Sequence, residues 1–130
     1  MKKPIYCNCG TYLGERDGFD IIRCKKCGID YVVKSEKGFW DYYKSHKLAI
    51  HVSEQQECEN LITAIANKFN DKNYKIFYKY TEDTCVYIKE YTNLERYMWN
   101  YASKSFCEKE GYTVIQYKDV KDLIEKELDR

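Results

Sequence analysis

Four cysteines near the N-terminus constrain this chain more than any other feature. They form two close pairs, Cys7-Asn8-Cys9-Gly10 and Cys24-Lys25-Lys26-Cys27-Gly28, with 14 residues between the pairs. Two short loops can deliver four thiolates to one tetrahedral metal ion from opposite sides. The glycine after each pair suits the tight turn that aims sulfur inward. Zinc is the expected metal, with iron as the other candidate. The single-residue spacer in Cys7-Asn8-Cys9 is shorter than the usual two. Seven cysteines make an odd number. With no apolar run after Met1-Lys2-Lys3-Pro4, a reducing cytoplasm is expected rather than a disulfide framework.

The 130 residues suit one or two small domains, and no long apolar run suggests a membrane span. A module below roughly 40 residues usually needs a metal or disulfides to hold it. Net charge is +1 overall but uneven, at +4 over residues 1–52 and −3 over 53–130. Four thiolates and one dication lower the first figure to about +2. Lys25 and Lys26 then serve to offset the metal centre's negative charge, with phosphate contact as the alternative. Abundant Lys, Tyr, Asn and Ile reflect AT-rich codons and point to a low-GC bacterium or its phage.

Residues 5–34 read as a hairpin ribbon. Thr11-Tyr12-Leu13, Phe19–Arg23 and Ile29–Val33 are β-rich, and Arg16-Asp17-Gly18 supplies a turn. Phe39-Trp40-Asp41-Tyr42-Tyr43 is either a third strand or a one-turn helix. On these residues the segment 5–43 resembles a zinc ribbon. The resemblance implies a structural zinc held by Cys7, Cys9, Cys24 and Cys27, and leaves function open. Zinc ribbons serve in transcription factors, polymerase subunits, ribosomal proteins, primases and adaptors.

The second part, residues 44–130, has its own pattern. Lys47–Val52 alternates as a strand. Ser53 is an expected N-cap, and Cys58, Leu61, Ile62, Ile65 and Phe69 recur at helical spacing. Tyr74–Tyr80 and Cys85–Tyr91 read as a hairpin. Asn93 is expected to cap a helix carrying Leu94, Met98, Ala102 and Phe106, closed by Gly111. Tyr112–Tyr117 is a strand, and Asp119 opens a last helix with Val120, Leu123, Ile124 and Leu128. The resulting class is α+β: a zinc ribbon at 1–43, then a small ferredoxin-like βαββαβ domain at 44–130 with an extra C-terminal helix. Its central strands would be 47–52 and 85–91, with helices on one face. The ending around Glu110–Ile115 resembles those of small phage proteins of unknown role.

An open sheet face would carry Tyr87 and Lys89, with Tyr78 and Tyr80 beside them, as base-stacking sheets do. Val86–Tyr91 lacks the Lys/Arg-Gly-aromatic opening of that motif, so packing of the tyrosines is the competing reading. Phe39, Trp40, Tyr42 and Tyr43 are the densest aromatic cluster, a partner surface or a shelf between the two domains. His46 and His51 read as ordinary histidines. Cys58, Cys85 and Cys107 read as buried apolar residues, with a Cys58–His51 nucleophile pair as the catalytic alternative. A closed four-thiolate site leaves no position for substrate water. The expected function is therefore a non-enzymatic binding protein. It would dock on a host protein as an inhibitor or regulator, in the manner of phage anti-defence proteins. Nucleic acid or the transcription machinery is the alternative partner, and an unrecognised enzyme the third.

Overall fold

The computed structural model describes residues 2–69, 81–91 and 96–128. The chain divides into two compact units, Met1–Tyr42 and Tyr43–Arg130. The architecture is mixed α and β.

The first unit is two antiparallel hairpins. β1 (Lys3–Tyr6) pairs with β2 (Tyr12–Arg16), from Lys3 opposite Arg16 to Tyr6 opposite Tyr12. β3 (Asp20–Arg23) pairs with β4 (Asp30–Val33), from Asp20 opposite Val33 to Arg23 opposite Asp30. Each hairpin closes through one cysteine pair, so both ligand loops sit at hairpin tips. These strands bury little. Apart from Cys7 and Cys24, the buried apolar side chains among the described residues of this unit are Phe19, Phe39 and Trp40. The Phe19 ring stands edge-on to Phe39 at 4.9 Å and to Tyr42 at 5.2 Å. Three interior rings are a thin core for a unit of this size, which is the setting in which small modules rely on a metal.

The segment carrying those rings is helix α1 (Phe39–Ser45), the second of the two expected forms. The division between units falls inside it.

The second unit is built on a four-stranded sheet of order β7-β6-β5-β8. β5 (Leu48–His51) is a central strand, antiparallel to β6 (Thr84–Tyr91) and parallel to β8 (Thr113–Gln116). β7 (Arg96–Ser103) lies antiparallel along β6, from Thr84 opposite Ser103 to Tyr91 opposite Arg96. A one-turn 3-10 helix, Thr81–Asp83, precedes β6. Helix α2 (Gln55–Lys68) follows β5, α3 (Lys104–Lys109) follows β7, and α4 (Tyr117–Glu125) follows β8.

Several sequence expectations need correction, among them the opening of the last helix, which begins at Tyr117 behind Gln116 rather than at Asp119. The helix expected from Asn93 is strand over Arg96–Ser103, and helix begins only at Lys104. Ser103 caps it, its hydroxyl accepting from the Phe106 amide at 3.3 Å. The same window that spaces Met98, Ala102 and Phe106 helically also alternates Tyr97, Trp99 and Tyr101, a β-rich set. Pairing with the eight-residue β6 decides between the two. The ferredoxin-like arrangement sets 47–52 and 85–91 parallel; β5 and β6 are central as expected but antiparallel. The expected strand at Tyr74–Tyr80 lies outside the described residues. Helix α2 is capped at Glu54 with no side-chain bond, while the Ser53 amide and hydroxyl both donate to Glu57 Oε1.

Helices do not leave one sheet face open. Leu48, Ala49, Ile50, Cys85 and Val86 are all fully buried, so neighbours pointing to opposite faces are both covered. Ala49, Cys85, Tyr87 and Ala102 form one cluster with Cys107 of α3. Leu61, Ile62 and Ile65 of α2 and Val120 and Ile124 of α4 are buried as well. Asn60 Nδ2 of α2 bonds Tyr117 Oη of α4 at 3.4 Å, and Asn67 Nδ2 bonds the Glu127 carbonyl just past α4 at 2.7 Å. Each fully buried Leu or Ile contributes about 1.5–3 kcal/mol, so this unit has an apolar core that the first unit lacks.

Candidate metal centre

The two hairpin loops bring Cys7, Cys9, Cys24 and Cys27 together with all four sulfurs within 4.8 Å of one another. Cys7 Sγ lies 3.4 Å from Cys27 Sγ, and Cys9 Sγ lies 3.6 Å from Cys24 Sγ. These gaps are far above the ~2.05 Å of a disulfide. They approach the ~3.8 Å edge of a tetrahedron of sulfurs around zinc with bonds of ~2.3 Å. The four residues can therefore hold one metal ion. Cys7 and Cys24 are buried, and Cys9 and Cys27 are exposed.

Each loop is folded to present sulfur. In the first, the Cys7 amide donates to the Thr11 carbonyl and the Gly10 amide to the Cys7 carbonyl, both at 2.8 Å. In the second, the Cys24 amide donates to the Ile29 carbonyl at 2.9 Å and the Gly28 amide to the Cys24 carbonyl at 2.8 Å. Gly10 and Gly28 have φ of 91° and 74°, left-handed values that explain glycine after each pair. The turns also aim amides at sulfur: Cys9 at Cys7, and Cys27 and Lys26 at Cys24.

Without a cation, four thiols at this distance cannot ionise together. The Cys9 amide pulls the Cys7 thiol down, but Cys27, burial and the other thiols outweigh it and push Cys7 up to about 12. The Thr11 hydroxyl, 3.2 Å from Cys9 Sγ, and the Thr11 amide bring Cys9 down to about 6. The Cys27 amide leads the lowering of Cys24. A dication would remove this conflict, since it favours every thiolate at once.

The structure brings the expected ligands together, while most of the aromatic residues expected to meet a partner are interior. Lys25 and Lys26 are exposed on the second loop. Phe39, Trp40 and Tyr43 are interior at 1%, 8% and 0% exposure, and Tyr42 is half-buried. Tyr43 donates its hydroxyl to the Val86 carbonyl at 2.6 Å. Tyr87 is also interior, its ring 4.8 Å from that of Tyr112, so it does not stand on an open face. Lys89 lies on β6, and Tyr78 and Tyr80 fall outside the described residues. His46 is exposed and shares a hydrogen bond with Ser45 Oγ through Nδ1 at 2.9 Å. His51 pairs through Nδ1 with Gln116 Oε1 at 2.7 Å and through Nε2 with the Glu82 carbonyl. Burial pushes the Cys58 thiol up to about 11 and Cys85 up to about 12, and raises Cys107 as well.

Sequence reasoning passed over three residues that the geometry singles out. Tyr6, Tyr12 and Ile29 are exposed at 56%, 54% and 59%. Tyr6 precedes Cys7, Tyr12 follows the first loop, and Ile29 follows the second. Tyr6 and Tyr12 are cross-strand partners with ring centroids 5.4 Å apart. Their signal was positional: apolar residues immediately outside a metal loop have no second layer to cover them.

No helix among the described residues is long and apolar enough to cross a membrane. No family model, curated protein or solved structure matches the chain.

Proposed function

We propose that this chain is a non-enzymatic, zinc-stabilised binding protein. Its first unit is a zinc ribbon, and it docks on a host protein as an inhibitor or regulator of the anti-defence type. Its composition supports a phage or low-GC bacterial origin and work in a reducing cytoplasm. The observation that carries the reading is the trio Tyr6, Tyr12 and Ile29, exposed at the edges of the two metal loops. Tyrosine is over-represented at binding hot spots, where one ring supplies apolar area and a polar tip. Single exposed apolar residues are ordinary, but these three all flank the two loops of one candidate metal centre.

Charge supports a protein partner over nucleic acid. Residues 1–42 hold eight Lys/Arg and six Asp/Glu. Four thiolates with one dication carry about −2, which brings the loaded unit to near zero. Three of the cations are already paired: Arg16 with Asp20, Arg23 with Asp30 and Lys37 with Asp17. A nucleic-acid binder normally shows a more basic domain. The non-enzymatic reading is supported by the closed thiolate set and by burial of Cys58, whose raised pKa disfavours a nucleophile.

The test is capture from a nuclease-treated host lysate with the zinc-loaded chain, beside a Tyr6→Ala/Tyr12→Ala/Ile29→Ser variant of equal zinc content. One host protein retained by the wild type and lost by the variant is expected. Equal capture by both, or capture abolished by nuclease, would overturn the reading.

A further inference from the structure

The cations of the first unit are not spread evenly. Four of its eight, Lys3, Arg16, Lys34 and Lys37, line one cleft of about 520 Å³. The cleft lies at the end of the hairpins away from the cysteines. Lys3 pairs with Arg16 at the far end of β1 and β2, and Val33 pairs with Asp20 at the far end of β3 and β4.

Its walls are held in place. The Phe19 amide donates to the Lys37 carbonyl at 2.8 Å. A Cβ on Gly18 would meet that same carbonyl oxygen at 3.0 Å, so the approach of the two segments requires glycine. Lys37 Nζ bonds Asp17 at 2.7 Å and Arg16 Nε bonds Asp20 at 2.6 Å, which fixes two of the cations. Lys3 and Lys34 make no ion pair among the described residues, and both are exposed. With Arg16 paired to Asp20 and Lys37 to Asp17, the charges left on the cleft are those of Lys3, Lys34 and Glu36, an excess of one positive charge. Ile5 and Val33 supply apolar surface beside them.

This combination has a chemical counterpart. A phosphate monoester carries about −1.5 to −2 at neutral pH and would pair with the two lysines that make no ion pair, Lys3 and Lys34. The cleft is much larger than a bare phosphate and falls within the roughly 300–1,000 Å³ of small-molecule sites. We propose that the cleft binds a small phosphorylated metabolite. Its phosphate would be held by Lys3 and Lys34, with Arg16 and Lys37 behind, and its organic body would lie on Ile5 and Val33. A nucleoside monophosphate is the simplest compound of this class. The site is separate from the Tyr6, Tyr12 and Ile29 patch, so either assignment stands without the other.

The test is a titration of the zinc-loaded full chain with adenosine 5′-monophosphate, adenosine and inorganic phosphate, followed by amide NMR shifts at Ile5, Gly18 and Val33. The monophosphate is expected to move these signals saturably and adenosine to leave them in place. Lys3→Gln/Lys34→Gln, which removes two exposed and unpaired cations, is expected to weaken the monophosphate about tenfold with unchanged zinc content and unfolding temperature. The proposal is overturned if the monophosphate moves nothing at about 10 mM, a concentration at which even weak specific sites fill. It is equally overturned if adenosine or inorganic phosphate binds as tightly, or if the double variant stays within about twofold of the wild type.

Discussion

Cys9 Sγ stands 3.6 Å from Cys24 Sγ, although the two belong to different hairpins. Cys7 and Cys27 make the matching contact at 3.4 Å. Each close pair is therefore made between hairpins, so a bound ion would tie the two together. The first unit has little apolar interior to do so otherwise.

Thiol labelling separates two classes of cysteine. In metal-free protein at neutral pH, Cys9 is expected to react first with an alkylating reagent. It is exposed, and the Thr11 hydroxyl and amide bring it to about 6, so the thiolate dominates. Cys58, Cys85 and Cys107 are buried with raised pKa and are expected to stay unlabelled until the second unit unfolds. Mass spectrometry of timed digests reads this order. Labelling of Cys85 ahead of Cys9 would contradict it.

The pH dependence of the metal-free first unit follows from the same groups. Cys9 is depressed from 9.0 to about 6, so its contribution is present above 9 and is lost as pH falls through 6. Cys7 is raised from 9.0 to about 12, so its contribution is present below 9 and is lost as pH rises through 12. Urea unfolding of metal-free protein across pH 5–8 is expected to show the first unit weakening toward the acid end, an effect absent in Cys9→Ser.

Tyr43→Phe removes the hydroxyl that the Val86 carbonyl accepts in a fully buried position. The expected loss is about 1 kcal/mol in the second unit, read as a lower urea midpoint with an unchanged slope. No loss would mean that the bond contributes nothing net.

Tyr87→Ala distinguishes a core role from a partner-binding role. Tyr87 packs on Tyr112 and joins Ala49, Cys85, Ala102 and Cys107. Truncation is expected to cost about 3–5 kcal/mol in the second unit. A change within ~0.5 kcal/mol, the range of surface substitutions, would place the ring outside the core.

Local chemistry made the metal loops readable from sequence. Cysteine pairs and their glycines act within a few residues, and the φ values of Gly10 and Gly28 reflect that. The same holds for α2, whose buried Cys58, Leu61, Ile62 and Ile65 keep helical spacing. The segment 96–103 was not readable, because its residues satisfy both periods and a distant strand decides. The exposure of Tyr6 and Tyr12 shows in their position beside the metal loop rather than in any periodicity. It depends on what fails to cover a two-stranded hairpin.

The most direct measurement is metal content together with hydrogen exchange on the full chain, wild type and Cys24→Ser. One zinc per wild-type chain is expected, with slow amide exchange over β1–β4. Cys24→Ser should lose the zinc and exchange faster over those strands, while β5 and β6 keep the wild-type rate. Full zinc content in Cys24→Ser, or β1–β4 equally protected without metal, would contradict a first unit held together by its four cysteines.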